Sequence, residues 1–238
     1  MTYYSPTPRP AYGRAMAEGF DVGLRRYMLR VYNFMAAGLG LTGLVAYGAV
    51  ATGFYQAIAG TPLLWLVMLA PLAAVLFLSF RIERMRLGTA QATFWGFAAL
   101  MGLSLAGIFL VFTGASVARV FFISGATFAA MSLYGYATRR DLSQVGSFLV
   151  MGLIGIVLAS LVNLFLASSA LQFAISVIGV LVFTGLTAWD TQRIKEVYAA
   201  GDPGDVLAKK ALMGALALYL DFINLFVMLL QLTGQRRA

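Results

Sequence analysis

Residues 31–80 contain no charged side chain, and few solvents let such a chain fold. The hydrocarbon core of a bilayer is about 30 Å thick and a helix rises about 1.5 Å per residue, so about 20 apolar residues make one crossing. The run is long enough for two, and Gly60-Thr61-Pro62 breaks it. Spans are therefore expected at 31–53 and 63–80, and the same reading continues at 91–112, 121–136, 145–167, 171–189 and 212–232. The expected fold is an all-α integral membrane protein, a bundle of seven transmembrane helices. Composition agrees. Hydrophobic residues make up 61% of the chain and charged ones 11%, against roughly 45–50% and about 25% in soluble domains.

Residues 1–30 are polar, open with the Pro-rich stretch Ser5-Pro6-Thr7-Pro8-Arg9-Pro10 and hold five arginines. They read as a cytoplasmic tail and amphipathic lead-in, ahead of a single transmembrane domain at 31–235. A signal peptide is the competing reading, because Ala49-Val50-Ala51 resembles a cleavage site. The apolar stretch 31–53 exceeds the usual core of about 7–15 residues, which favours a first span. Basic residues near helix ends stay in the cytoplasm. With seven spans, 14 of the 17 Lys and Arg collect on the amino-terminal side, leaving Arg119, Arg236 and Arg237 on the other. The amino terminus is therefore expected inside and the carboxyl terminus outside. Arg236 and Arg237 dissent, and would be satisfied if the last apolar stretch were re-entrant rather than spanning.

The chain has no cysteine and no histidine, which excludes disulfides, thiolate and imidazole metal sites, and Cys or His nucleophiles. No cofactor is expected. The net charge of +8 lies in short loops between apolar runs, which fits membrane topology rather than nucleic-acid binding. Small residues at four-residue spacing, Gly38, Thr42 and Ala46 and again Gly102 and Ala106, suit close helix packing in lipid.

Of nine acidic residues, Glu18, Asp21, Glu83, Asp141, Glu196, Asp202 and Asp205 fall in tails or loops. Asp221 does not. It sits in an otherwise charge-free run, about 15 Å from the helix end at 1.5 Å per residue. Asp190 closes the apolar run before Thr191-Gln192-Arg193-Ile194, and is also inside if that helix continues. A carboxylate at mid-bilayer costs about 2.5–3.5 kcal/mol, so each must be neutral, paired or facing water. Asp190 has a local candidate partner in Arg193, three residues on. Asp221 has none, and its counterpart must come from another helix. The last two helices are antiparallel neighbours, so the two aspartates can meet, and two carboxyls sharing one buried site titrate as a unit. Such a pair is a proton-sensitive latch. Arg81 or Arg84, at the end of the second helix, is a candidate competitor for it, against the plainer reading that these arginines only snorkel and set topology.

The segment Ser132-Leu133-Tyr134-Gly135-Tyr136-Ala137-Thr138-Arg139-Arg140-Asp141-Leu142-Ser143, with Gly146-Ser147-Phe148-Leu149 after it, resembles the signature of the Bax-inhibitor family, the transmembrane Bax inhibitor motif proteins. Trp189-Asp190-Thr191-Gln192-Arg193-Ile194 and Leu218-Tyr219-Leu220-Asp221-Phe222-Ile223-Asn224-Leu225-Phe226 agree. The resemblance implies six helices around a central seventh, a pH-sensitive calcium leak, and relatives in eukaryotes that restrain cell death. It implies that Asp190 and Asp221 form the proton-sensing pair on the calcium path. It implies that an arginine ending the second helix engages the pair in the closed state; Arg81, Arg84 and Arg86 crowd that position, with Arg84 favoured ahead of Arg81. The Pro-rich tail and the lack of a charged carboxyl-terminal extension point to a bacterial member in the inner membrane.

The expected function is thus a pH-sensitive calcium leak, with deprotonated Asp190 and Asp221 as weak, hard oxygen ligands for a transported ion. Calcium ions, protons and the lipid bilayer are the expected partners. The rivals are a non-conducting membrane adaptor that regulates another protein and, with less support, an intramembrane aspartyl hydrolase. An enzyme is not expected.

Overall fold

The computed structural model describes residues 11–237; the Pro-rich stretch at 5–10 lies outside them. The described residues form helices α1 (Ala11–Ala51), α2 (Phe54–Ile58), α3 (Leu63–Arg81), α4 (Leu87–Leu105), α5 (Ile108–Val111), α6 (Gly114–Ala137), α7 (Ser143–Leu166), α8 (Ser169–Glu196) and α9 (Gly204–Thr233), with a 3-10 turn, Ile82–Arg84, after α3. Among the described residues, seven segments are long and apolar enough to cross a membrane: Val22–Ala51, Leu63–Arg84, Leu87–Val111, Gly114–Ala137, Ser143–Leu166, Ser169–Glu196 and Gly204–Thr233.

Each coincides with an expected span and differs from it mainly at polar ends. α8 runs on from Trp189 to Glu196, α9 starts at Gly204 ahead of the apolar run, and α1 starts at Ala11, well inside the expected tail. The reason is physical. An apolar run marks the hydrocarbon, while the helical ladder continues into the headgroup layer, where water and lipid solvate charged side chains. Helix ends carry recognisable stops and starts. Gly53 takes φ +76° after α1, a conformation cheap only for glycine. Thr113 and Ser168 cap α6 and α8 by accepting from the backbone N–H of Ser116 and Leu171, both at 3.3 Å.

α9 is one unbroken helix of 30 residues, about 45 Å long, and is long and apolar enough to span. Behind it, the Arg237 N–H donates to the Val111 carbonyl at 2.9 Å and the Thr113 N–H to the Gln235 carbonyl at 3.0 Å. These bonds hold the carboxyl-terminal segment against the α5–α6 connection. α9 is also the axis of the bundle, with 61% of its most apolar window buried, against 17% for α3 and for α7. It packs on α1, α4, α6 and α8. The expected small-residue contact joins α1 to α4: Thr42, Ala46 and Ala106 are buried, and a Cβ on Gly102 would sit 2.6 Å from the Thr42 carbonyl oxygen. Only glycine permits that approach.

Candidate functional site

α8 and α9 run antiparallel, joined by a turn that Lys210 closes by donating to Asp202 Oδ2 at 2.6 Å and to the Val197 carbonyl at 3.0 Å. Ile194 packs against Gly214 at one end of the contact and Met228 against Gly179 at the other. That register sets Asp190 and Asp221 within a turn of each other on facing helices, close enough for their carboxyl groups to act on one another. Two carboxyl groups at one buried site can hydrogen-bond to each other only with a proton on one of them. Asp221 is only 5% exposed, and its Oδ2 has no hydrogen-bond partner. Asp190 is half-buried and lines a cavity of about 490 Å³, together with Tyr27, Glu83, Arg193, Lys209 and Lys210. The pair therefore has one member sealed inside the bundle and the other at the inner end of an opening.

Arg193 acts on Asp190 electrostatically, but its guanidinium lies over the Trp189 ring, 5.4 Å from the centroid. The contact ion pair among the described residues is Lys210 with Asp202, so Asp190 is not tied up as a helix-end pair. Arg81 ends α3 and Arg84 closes the 3-10 turn. Both are exposed, and this segment contributes Ile82 and Glu83 to the cavity, not either arginine. Lys209 bridges to the segment by donating to the Glu83 carbonyl at 3.3 Å.

Sequence reasoning missed what surrounds the pair. Gln192 grips the α6–α7 loop from both sides: its Nε2 donates to the Arg140 carbonyl at 2.8 Å and its Oε1 accepts from the Leu142 N–H at 2.9 Å. Lys195 donates to the Tyr136 carbonyl at 2.9 Å. A directed hydroxyl chain ties α1 and α6 to α8. Thr191 spends its proton on the Thr187 carbonyl at 2.7 Å, so it accepts from Ser132 at 2.9 Å. Ser132 in turn accepts from Tyr32 at 2.7 Å. The glycines of the first signature explain themselves here. A Cβ on Gly135 would lie 2.1 Å from the Ala188 carbonyl, and one on Gly146 would enter the Trp189 ring at 2.3 Å. The signal was present in the quoted motifs, whose Gln, Thr and Gly residues accompany Asp190, but spacing along one helix does not say which loop they hold. In that loop, outside the spans, Asp141 accepts from the Ser143 N–H at 2.8 Å, and bonding to Ser143 holds its carboxyl below the usual range.

A seven-helix bundle whose central helix buries an aspartate against a second aspartate on its neighbour defines an integral membrane protein with an intramembrane carboxyl pair. The model of the family described as Bax1-I, inhibitor of apoptosis-promoting Bax1, matches residues 24–238. The chain belongs to that family. It is similar to the uncharacterized protein RP147 of Rickettsia prowazekii, 52% identical over 92% of this chain and 93% of that one. It is also similar to the inner membrane protein YbhL of Escherichia coli K12, 48% identical over 90% and 94%. A third relative is the uncharacterized membrane protein SpyM3_0260 of Streptococcus pyogenes, 36% identical over 90% and 95%.

Proposed function

We propose that this protein is a pH-sensitive calcium leak of the bacterial inner membrane, gated by protonation of the Asp190–Asp221 pair. The observation that carries the reading is the proximity of the two carboxyls on neighbouring helices, with Asp221 buried in the bundle and its Oδ2 without a hydrogen-bond partner. Deprotonated, the pair offers hard oxygen ligands that suit calcium. No group of three or more acidic, Cys or His side chains gathers there among the described residues, and a two-carboxylate site is weak. Weakness fits conduction, which requires the ion to leave. With a shared proton the ligands are spent on each other and the attraction falls. In this proposal Arg84, with Arg81 second, is the partner that engages the pair in the closed state. Arg81 and Arg84 are exposed in the present arrangement, so that step includes a movement of the α3 end towards α8.

The test is calcium flux into liposomes holding only this protein, measured across pH for wild type, Asp190→Asn and Asp221→Asn. Both substitutions are expected to flatten the pH response. An unchanged titration curve in each rejects the latch, and no flux from wild type at any pH favours the adaptor. Cleavage of a transmembrane peptide by the purified protein would favour the hydrolase instead.

A further inference from the structure

A second cavity, of about 530 Å³, opens on the lipid-facing side of the bundle between α1 and α6. The two helices meet near the cavity containing Asp190, where Tyr32 bonds Ser132. Towards the carboxyl-terminal side Phe222, Ile223 and Phe226 of the central helix line a groove between them. The volume is that of a small-molecule site, about 300–1,000 Å³. Its wall on α1 runs from Leu39 to Ala46, about 10 Å along the helix.

The groove is open because glycines line it. A Cβ placed on Gly40, Gly43 or Gly114 meets no atom within 4 Å, so helix packing does not account for these three as it does for Gly102. The hydroxyl of Thr42 is already committed, to the Ala98 carbonyl and to Tyr219. The lining is otherwise apolar side chains and glycine, which suits hydrocarbon. Arg119, exposed and not itself a lining residue, sits one turn from Phe122 on α6 and nearer the helix start. Snorkelling carries its guanidinium towards the helix start, so an apolar slot flanked by one cation matches an acyl chain with a phosphate above it.

We propose that the groove binds one phospholipid from the leaflet on the carboxyl-terminal side, with an acyl chain against Phe222 and Phe226 and its phosphate at Arg119. The site does not depend on ion conduction. The full chain is reconstituted in vesicles of phosphatidylethanolamine and phosphatidylglycerol doped with phosphatidylglycerol bearing a diazirine in one acyl chain, irradiated, and its adducts mapped by peptide mass spectrometry. Adducts should concentrate on the groove residues of α1, α6 and α9. Gly43→Leu should lower them by about ten-fold, as a built-in clash does, and Arg119→Gln should weaken competition by unlabelled phosphatidylglycerol. Gly48→Leu, at an equally open glycine outside the groove, should change neither. Adducts spread evenly over all lipid-facing helices of the wild type would mean ordinary annular lipid and overturn the proposal, whether or not the variants fold. Labelling indifferent to a folded Gly43→Leu would overturn it too.

Discussion

The hydroxyl of Tyr219 lies 2.6 Å from that of Thr42, and Thr42 donates its own proton to the Ala98 carbonyl at 2.8 Å. Tyr219 must therefore be the donor, and the three groups tie α9 to α1 and α4 two residues before Asp221. Tyr219 is fully buried. Tyr219→Phe removes one net hydrogen bond and leaves Thr42 satisfied, an expected loss of about 1 kcal/mol. Thr42→Val strands the Tyr219 hydroxyl inside the bundle and should cost more, about 1–3 kcal/mol. Thermal unfolding in detergent checks the order, and a more severe Tyr219→Phe would contradict the direction assigned to the bond.

The close approach of α6 to α8 at Gly135 makes a second expectation. Gly135→Ala pushes a methyl group into the Ala188 carbonyl, which has no flexible end to swing away, and should destabilise by about 1–3 kcal/mol. Gly125→Ala, on the same helix with open space around it, should be neutral or gain up to about 1 kcal/mol. Equal melting temperatures for the two variants would mean that the helices do not touch at Gly135.

Gln192 is expected to hold the α6–α7 loop rather than to bear on the carboxyl pair directly. Gln192→Leu removes both of its bonds to Arg140 and Leu142. Trypsin should then cut faster after Arg139 and Arg140 while the helices stay intact by circular dichroism. Acid should loosen the same loop. The Asp141 carboxyl is lowered in the fold, so its contribution is present above the unfolded pKa and disappears as pH falls through the folded one. Amide exchange of the Ser143 N–H, corrected for intrinsic pH dependence, should lose protection below the usual carboxylate range, and Asp141→Asn should remove that dependence. A flat pH profile in wild type would deny the bond a role.

Seven crossings with an excess of Lys and Arg on the amino-terminal side predict an amino terminus in the cytoplasm and a carboxyl terminus outside. A carboxyl-terminal alkaline phosphatase fusion expressed in bacteria should be active, and a fluorescent-protein fusion at the same place dark. The reverse pattern would invert the assignment.

Spans and breaks were legible in the sequence because bilayer thickness and backbone hydrogen bonding constrain each helix separately: a run such as 63–80 announces itself without reference to any neighbour. Asp221 was legible for the same reason, since a charge in an apolar helix needs an explanation wherever the helix sits. That Asp190 could meet it followed from the antiparallel order of the last two helices, but the other contacts did not. Whether Arg193 pairs with Asp190 or lies over Trp189, which loop Gln192 holds, and that Gly135 rather than Gly125 lies against a backbone carbonyl all depend on helix rotation and register. A 3.6-residue period leaves those open until the packing of seven helices sets them. The sequence determined what each helix is and where it may lie, because solvation is local; the tertiary structure alone decided what faces what, because contact between helices is not.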